Sequence, residues 1–125
     1  MKTTEQLPVE HHVHNETPCH GGEGPWKFMD YLAKLDPETK KASLIKYIHD
    51  DILPPGSAFG VHSHPQTDKV EEWYVCLEGE GTMVLDGVET PFCAGQANVC
   101  RGGGSHGIRN TGKKNMRFLV ILASA

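Results

Sequence analysis

Short runs of β-prone residues, separated by glycine and proline, follow one another along most of this chain. Runs of this length, at a spacing of roughly 8 to 12 residues, are typical of all-β sandwiches and barrels. No convincing amphipathic helix competes with them, and Asp36 to Lys40 predicts a turn or a single helical turn. The runs predicted as strands are Trp26 to Leu32, Ser43 to Leu53, Glu72 to Glu78, Gly81 to Asp86, Val88 to Cys93, Ala97 to Cys100 and Met116 to Leu122.

One turn between these runs is specified by its own residues. Asp86-Gly87 lies between two predicted strands. A two-residue type I′ turn needs positive φ at both central positions, which glycine adopts freely and aspartate tolerates. The dipeptide therefore predicts a tight β-hairpin.

The composition fits one small domain outside membranes. A chain of 125 residues can bury a real core without disulfides, and its net charge is −4. Lysine and arginine are scattered, which argues against a nucleic-acid surface. No apolar run approaches the roughly 20 residues that span a bilayer, and the N-terminus lacks the apolar core of a signal peptide. We therefore expect a cytoplasmic protein with no nucleic-acid or membrane partner.

The first 25 residues differ in character from the rest of the chain. They are polar, show no clear period and carry His11-His12-Val13-His14 followed by Cys19-His20. We interpret residues 1–25 as a polar, histidine-rich N-terminal arm and residues 26–125 as the β-barrel domain. The four cysteines form no Cys-x-x-Cys pair, so free thiols are expected.

Three further histidines suggest a metal site. His62 and His64 are two residues apart, and His106 lies inside the glycine run Gly102-Gly103-Gly104-Ser105-His106. In an extended strand, residues two apart point to the same face, so His62 and His64 can offer two imidazoles to one ion.

The segments around these histidines closely resemble the two motifs of the cupins. Gly56 begins a stretch of glycine, five residues and His62-Ser63-His64, continued by Glu72, six residues and Gly79. The second motif is matched by Gly95, Arg101, Gly103, His106 and Asn110 at the family's spacing. Arg101 stands where the family usually has proline, and the spacer from His64 to Glu72 is longer than usual. Neither departure removes a ligand.

The resemblance implies a single-domain cupin-type double-stranded β-helix, or jelly-roll barrel, and the metal ligands His62, His64, Glu72 and His106. Three imidazoles and one carboxylate suit one divalent transition metal ion, namely Mn, Fe, Ni, Co or Zn, and leave coordination positions open. Strand parity alone does not decide between Glu71 and Glu72. The family's six-residue spacing to Gly79 selects Glu72.

Residues in phase with these ligands are candidates for the pocket. Tyr74 and Cys76 share a face with Glu72, and Ile108 shares one with His106. We expect these three to contact the substrate, with Tyr74 also as the catalytic group that moves protons. Ala58 and Gly60 predict a wall of small residues with space for a ligand. Arg101 or Arg109 could attract a carboxylate.

Two classes of function remain open. The first is a metal-dependent enzyme acting on a small oxygenated molecule, carboxylate or sugar-like, by dioxygenase, decarboxylase, isomerase or lyase chemistry. The second is a metal-containing module that binds such a ligand without turnover. The resemblance also implies a homodimer, in which the arm and the first strand pair with a partner barrel.

Overall fold

The protein is built from two antiparallel β-sheets, as the computed structural model shows for residues 2–125. The all-β class expected from the sequence is therefore confirmed. The strands are β1 (Val13–Asn15), β2 (Trp26–Asp30), β3 (Ile45–Leu53), β4 (Ala58–Ser63), β5 (Val70–Glu78), β6 (Glu80–Leu85), β7 (Val88–Cys93), β8 (Ala97–Arg101), β9 (Ser105–Arg109) and β10 (Met116–Ser124). A helix, α1 (Pro37–Ala42), and a 3₁₀ turn, Cys19–Gly21, complete the fold.

The larger sheet has the strand order β1-β2-β3-β10-β5-β8, and the smaller sheet has the order β4-β9-β6-β7. The chain changes sheets between β3 and β4 at Pro54-Pro55-Gly56, where Gly56 has φ of 83°. Apolar side chains from both sheets meet between them: Phe59 of β4 packs edge-on against Phe118 of β10, with ring centroids 5.7 Å apart. Leu53, Met83, Met116 and Phe118 are core residues with 0% exposure.

The predicted hairpin is present. Asp86 and Gly87 have φ of 49° and 80°, and Leu85 of β6 pairs with Val88 of β7. The Asp86 side chain also accepts a hydrogen bond of 2.9 Å from the backbone N–H of Ser105, at the start of β9. The turn therefore fixes the strand that carries His106.

The short helix α1 lies outside the core. Asp36 caps it by accepting a 3.1 Å hydrogen bond from the backbone N–H of Thr39, and none of its residues is buried. Of the two predicted alternatives, a turn or a single helical turn, the helical one is thus confirmed, and the helix extends to Ala42. No helix within residues 2–125 combines the length and the apolar character needed to cross a bilayer.

The N-terminal residues pack against the barrel. Val13–Asn15 forms β1 at the edge of the larger sheet and pairs with β2, which the sequence analysis did not predict. Further along, the backbone of Glu23 exchanges two hydrogen bonds with Ala58 of β4, of 2.7 and 3.0 Å. A three-residue edge strand is too short to show a period in the sequence. The division at residue 25 remains a prediction.

Candidate metal centre

Four side chains, three on strands and one directly after a strand, meet between the sheets. His62 lies on β4, Glu72 on β5 and His106 on β9, while His64 directly follows β4. His62 and His106 pair across β4 and β9, so their side chains point to the same face. One ligand atom from each of the four residues lies within 4.8 Å of all the others. The structure therefore brings together the four residues that the sequence analysis assigned to a metal.

The glycine run before His106 holds His64 in place. The backbone N–H of His64 donates to the carbonyl of Gly104 at 3.0 Å, and Gly103 donates to the carbonyl of His64 at 2.8 Å. Gly103 has φ of 90°, a conformation that favours glycine. These two hydrogen bonds hold the backbone of His64 against the loop that precedes His106.

The distances between the four ligand atoms fit a shared ion. His106 Nε2 lies 3.1 Å from His62 Nε2, 3.3 Å from His64 Nε2 and 2.8 Å from Glu72 Oε1. His64 Nε2 and His62 Nε2 lie 3.4 and 3.9 Å from the same carboxylate oxygen. Two ligand atoms that are each ~2.1 Å from one ion lie ~3.0 to ~3.4 Å apart at octahedral or tetrahedral angles.

Hydrogen bonding alone accounts poorly for this arrangement. A neutral imidazole nitrogen carries either one proton or one lone pair. His106 Nε2 can therefore donate to only one of its three close neighbours, and the remaining nitrogen atoms face one another unpaired. A cation among them satisfies all four ligand atoms at once. The chemistry of the donor set thus fits a divalent transition metal ion.

The structure also fixes the orientation of His62. Its Nδ1 lies 3.2 Å from the carbonyl oxygen of Gly60, an acceptor, so Nδ1 carries the proton and Nε2 is left free for the cluster. Burial lowers the pKa of His62, which keeps the imidazole neutral near pH 7. A neutral imidazole is the form that binds a metal.

Glu72 is held by a tyrosine that the sequence analysis did not single out. Tyr47 of β3 and Glu72 of β5 both pair with Leu122 of β10, so they lie level in the sheet on the same face. They are two strand spacings apart, about 9.6 Å. The tyrosine bridges this gap and donates its hydroxyl proton to Glu72 Oε2. Oε1 is the oxygen that faces the histidines.

Glu72 is ionised in this setting. Burial raises its pKa, but hydrogen bonds from His106 and Tyr47 and the nearby histidines outweigh burial and lower the pKa to about 2. Burial first, and then the hydrogen bond to Glu72, raise the pKa of Tyr47 well above its ordinary value. Tyr47 therefore stays a proton donor to the carboxylate.

The cluster is open on one side. The side chains of His62 and His64 are 21% and 16% exposed, whereas those of Glu72 and His106 are 6% and 0% exposed. A small ligand therefore reaches the cluster past His62 and His64. The ring of His20 stacks on the ring of His62 at this side, with centroids 3.7 Å apart and an interplanar angle of 20°.

The predicted pocket residues differ in their distance from the cluster. Tyr74 is buried and packs edge-on against His106, with centroids 5.1 Å apart, and it stacks on Phe118. Burial, and then the charge of Glu72, raise the pKa of Tyr74 well above its ordinary value. Cys76 is four residues from Glu72 along β5, about 13 Å away. The structure thus brings Tyr74 beside the centre and places Cys76 in the core.

Ile108 is also a core residue. It is 2% exposed and pairs with Phe59 of β4 and Met83 of β6, two positions beyond His106 along β9. Its predicted contact with a ligand, like that of Tyr74 and Cys76, remains a prediction.

The wall formed by Ala58 and Gly60 contacts the N-terminal segment. A Cβ atom added to Gly60 would collide with the carbonyl oxygen of His20, and one added to Gly22 would collide with that of Ala58. The small residues therefore admit the backbone of residues 20–22, which was not expected from the sequence. A cavity of about 330 Å³ is also lined by Ala58 and Gly60, and the expected ligand space at this wall remains a prediction.

Glu71 and the two arginines lie away from the ligands. Glu71 is exposed, accepts a 3.0 Å hydrogen bond from Trp73 and lies 3.8 Å from Arg101. Arg109 forms an ion pair of 3.0 Å with Glu23 on the surface. The selection of Glu72 over Glu71 agrees with the four residues that form the cluster. Arg101 and Arg109 each lie beside a surface carboxylate and not beside the cluster.

A buried acid lies deeper on the same inner face. Asp51 is 2% exposed, and within residues 2–125 its Oδ1 has no hydrogen-bond partner. Burial, and then the charges of Asp50 and Glu72, raise the pKa of Asp51 well above its ordinary value. Cys19 is half-buried nearby, and burial together with Asp51 and Glu72 raises its pKa to about 12. Cys19 therefore stays a thiol at neutral pH, and the raised pKa of Asp51 favours its protonated form.

Comparison with known proteins agrees with this fold and site. A family model described as the cupin domain matches residues 51–122. The chain belongs to the cupin family, and the jelly-roll expectation from the two motifs is confirmed.

Individual relatives extend the comparison. A curated protein of Thermotoga maritima named oxalate-binding protein is 34% identical over 102 residues, covering 82% of this chain and 78% of that protein. A crystal structure of a predicted oxalate decarboxylase from the same organism has a TM-score of 0.78 and 27% identity, covering 95% of this chain and 98% of that one. The cupin domain of an XRE-family transcriptional regulator from Enterobacter cloacae, 21% identical, shows the same fold with a TM-score of 0.65, covering 80% of this chain and 97% of that one.

Proposed function

We propose that this protein binds one divalent transition metal ion with His62, His64, Glu72 and His106, and captures a small carboxylate of the oxalate class at the metal. The observation that carries the proposal is the convergence of these four ligand atoms on a centre that is open on its His62 and His64 side. Manganese, iron, nickel, cobalt and zinc all suit this donor set.

The relatives support the ligand class. One is named for oxalate binding and another for predicted oxalate decarboxylation, and both cover more than three quarters of this chain. Oxalate is a small dianion whose two carboxylate groups can bind one cation together. The cluster itself carries one carboxylate and three neutral histidines, so a divalent ion leaves one net positive charge to attract an anion.

When bound, the metal supplies a Lewis acid that holds and polarises carboxylate oxygen atoms. The chain's own residues then define the surroundings. Tyr47 keeps one oxygen of Glu72 engaged, so the other oxygen is presented to the centre. Tyr74 and Phe118 exclude water behind His106, because all three are buried.

Catalysis is a second candidate, and the similar structure of a predicted oxalate decarboxylase favours it. In a decarboxylation of oxalate, the C–C bond breaks, carbon dioxide leaves and a proton is delivered to the carbon of formate. Tyr74 packs against the ring of His106 and keeps its phenolic proton. It is the residue we propose for that proton transfer, and the enzyme hypothesis depends on it.

Calorimetry with product analysis tests both candidates. Protein loaded with Co(II) is titrated with oxalate, and ¹³C-labelled oxalate is then followed by NMR. We expect one oxalate per loaded chain and none without metal, with His14→Ala, an exposed histidine outside the cluster, as the control. Unchanged oxalate indicates capture, and labelled formate with carbon dioxide indicates turnover that Tyr74→Phe should abolish. A loaded protein that binds no oxalate contradicts the proposal.

The expected homodimer remains a proposal. In the structure β1 forms the outer edge of the larger sheet, and Val13 on it is exposed. An exposed strand edge can pair with a second chain. This surface is where we place the contact between two copies.

A further inference from the structure

One histidine near the centre belongs to neither cupin motif. His20 lies on the N-terminal 3₁₀ turn, and its ring stacks on that of the ligand His62. It stands on the side where the cluster is open to solvent, because His62 and His64 are partly exposed there and Glu72 and His106 are not. A ligand that enters from solvent therefore passes its ring.

The backbone at His20 adopts a conformation that a histidine rarely takes. Its φ and ψ are 52° and 38°, in the left-handed region, although the residue carries a Cβ. Such conformations persist only where the surrounding structure imposes them, and they are found more often at functional sites than elsewhere. The left-handed backbone of His20 must therefore be held by contacts with neighbouring residues.

The surrounding structure imposes this conformation through several contacts. The carbonyl of His20 lies against Gly60, where no Cβ would fit. Glu23 exchanges two backbone hydrogen bonds with Ala58 and forms an ion pair with Arg109. On the other side of the turn, the indole of Trp26 donates to the carbonyl of Thr17 at 2.9 Å. The turn is therefore fixed to β4, the strand that also carries His62.

The ring itself is free to bind a ligand. Within the part of the chain from residue 2 to residue 125, the structure gives no hydrogen bond to either ring nitrogen of His20. A neutral imidazole still offers one N–H donor. The fixed backbone, the open side of the centre and the free donor coincide at this one residue.

We propose that His20 is a ligand-binding residue of the centre, whose ring N–H donates a hydrogen bond to an oxygen of the metal-bound carboxylate. This inference rests on the proposed carboxylate binding and deepens it. Oxalate fits both interactions, because it can bind the metal through some of its oxygen atoms and keep another oxygen as an acceptor for His20. His20 then contributes to selection of the ligand, while the four cluster residues hold the metal.

Calorimetry on the Co(II)-loaded full chain tests the proposal. In His20→Ala we expect cobalt affinity within about twofold of the wild type and an oxalate Kd raised about tenfold, as for loss of one hydrogen bond to a charged group. His20→Gln, which keeps an N–H donor, should recover much of the affinity. His14→Ala should match the wild type for both ligands.

Two results overturn the proposal. Oxalate affinity unchanged in His20→Ala shows that the ring makes no such bond. Cobalt affinity that falls in parallel with oxalate affinity shows that His20 acts only by supporting His62. The visible absorption of Co(II) reports metal binding independently of oxalate, so the two effects are separable.

Failure of the proposed function has a different signature. If the wild type holds cobalt but binds no oxalate, azide is used as a small anionic probe of the same open position. Azide coordinates through one terminal nitrogen and keeps acceptor atoms for His20. A several-fold loss of azide affinity in His20→Ala then supports the role of His20 in anion binding, and an unchanged affinity overturns it.

Discussion

At the scale of single residues, the metal ligands were predictable and their supports were not. His62, His64, Glu72 and His106 follow from motif spacing, which is a property of the sequence alone. Tyr47 became visible only in the structure, because its contact with Glu72 spans β10, a strand from the far end of the chain. His20 was missed for a similar reason: its stacking on His62 depends on where residues 19–23 pack.

Asp51 gives a prediction at this scale. Its pKa is raised in the folded protein, so the folded state binds the proton more tightly than the unfolded state. The stability that this neutral acid contributes is complete below the ordinary pKa of 3.8. It is lost as pH rises through the folded pKa. Asp51→Asn keeps the shape and removes the titration.

We therefore expect Asp51→Asn to gain stability over the wild type as pH rises above about 4, by up to about 1.4 kcal/mol per pH unit until the folded pKa is passed. Urea unfolding of metal-free protein at pH 5 and pH 8 measures the difference. The prediction is wrong if the two proteins differ by the same free energy at both pH values, because Asp51 then does not titrate in that interval.

At the scale of elements, most strands were predictable from their β-prone runs and the turns between them. The hairpin at Asp86-Gly87 was specified by its own two residues. Strand ends were less well determined: β5 begins at Val70 rather than Glu72, because pairing of Val70 with Ser124 of β10 extends it. Such pairing depends on residues distant in sequence, which local patterns do not contain.

A buried carboxylate on β3, that of Asp50, links several segments of the larger sheet. Asp50 is 0% exposed and binds Arg117 of β10 at 2.7 Å, together with the hydroxyl of Tyr31 at 3.0 Å and His12 at 3.2 Å. This group therefore joins two strands, the segment after β2 and the N-terminal residues. Its charge is compensated mainly by Arg117.

Arg117→Ala should leave that carboxylate buried without its cation, at a cost of about 3 kcal/mol in the free energy of unfolding. Arg101→Ala is the matched control, since Arg101 is exposed and lies 3.8 Å from an exposed Glu71. We expect the control to change stability by less than about 1 kcal/mol. Equal effects of the two substitutions in urea unfolding would show that Asp50 is not held by Arg117.

At the scale of the whole molecule, the two sheets bring together ligands that are 44 residues apart in the sequence. The jelly roll and the location of its metal site were predictable, since the two cupin motifs specify both. The path of the N-terminal segment was not, because its contacts are backbone hydrogen bonds and a close approach at Gly60, which leave little trace in residue type. Ligand identity is likewise set by the surroundings of the metal rather than by the fold.

The central claim is that these four side chains hold one metal ion, and metal analysis of purified, Co(II)-reconstituted protein tests it most directly. We expect one ion per chain in the wild type and in His14→Ala. We expect almost none in His62→Ala combined with His106→Ala, and weakened binding in Glu72→Gln, which preserves the side-chain shape. Circular dichroism checks that each variant keeps its β-structure. One ion per chain in the folded double variant would contradict the account.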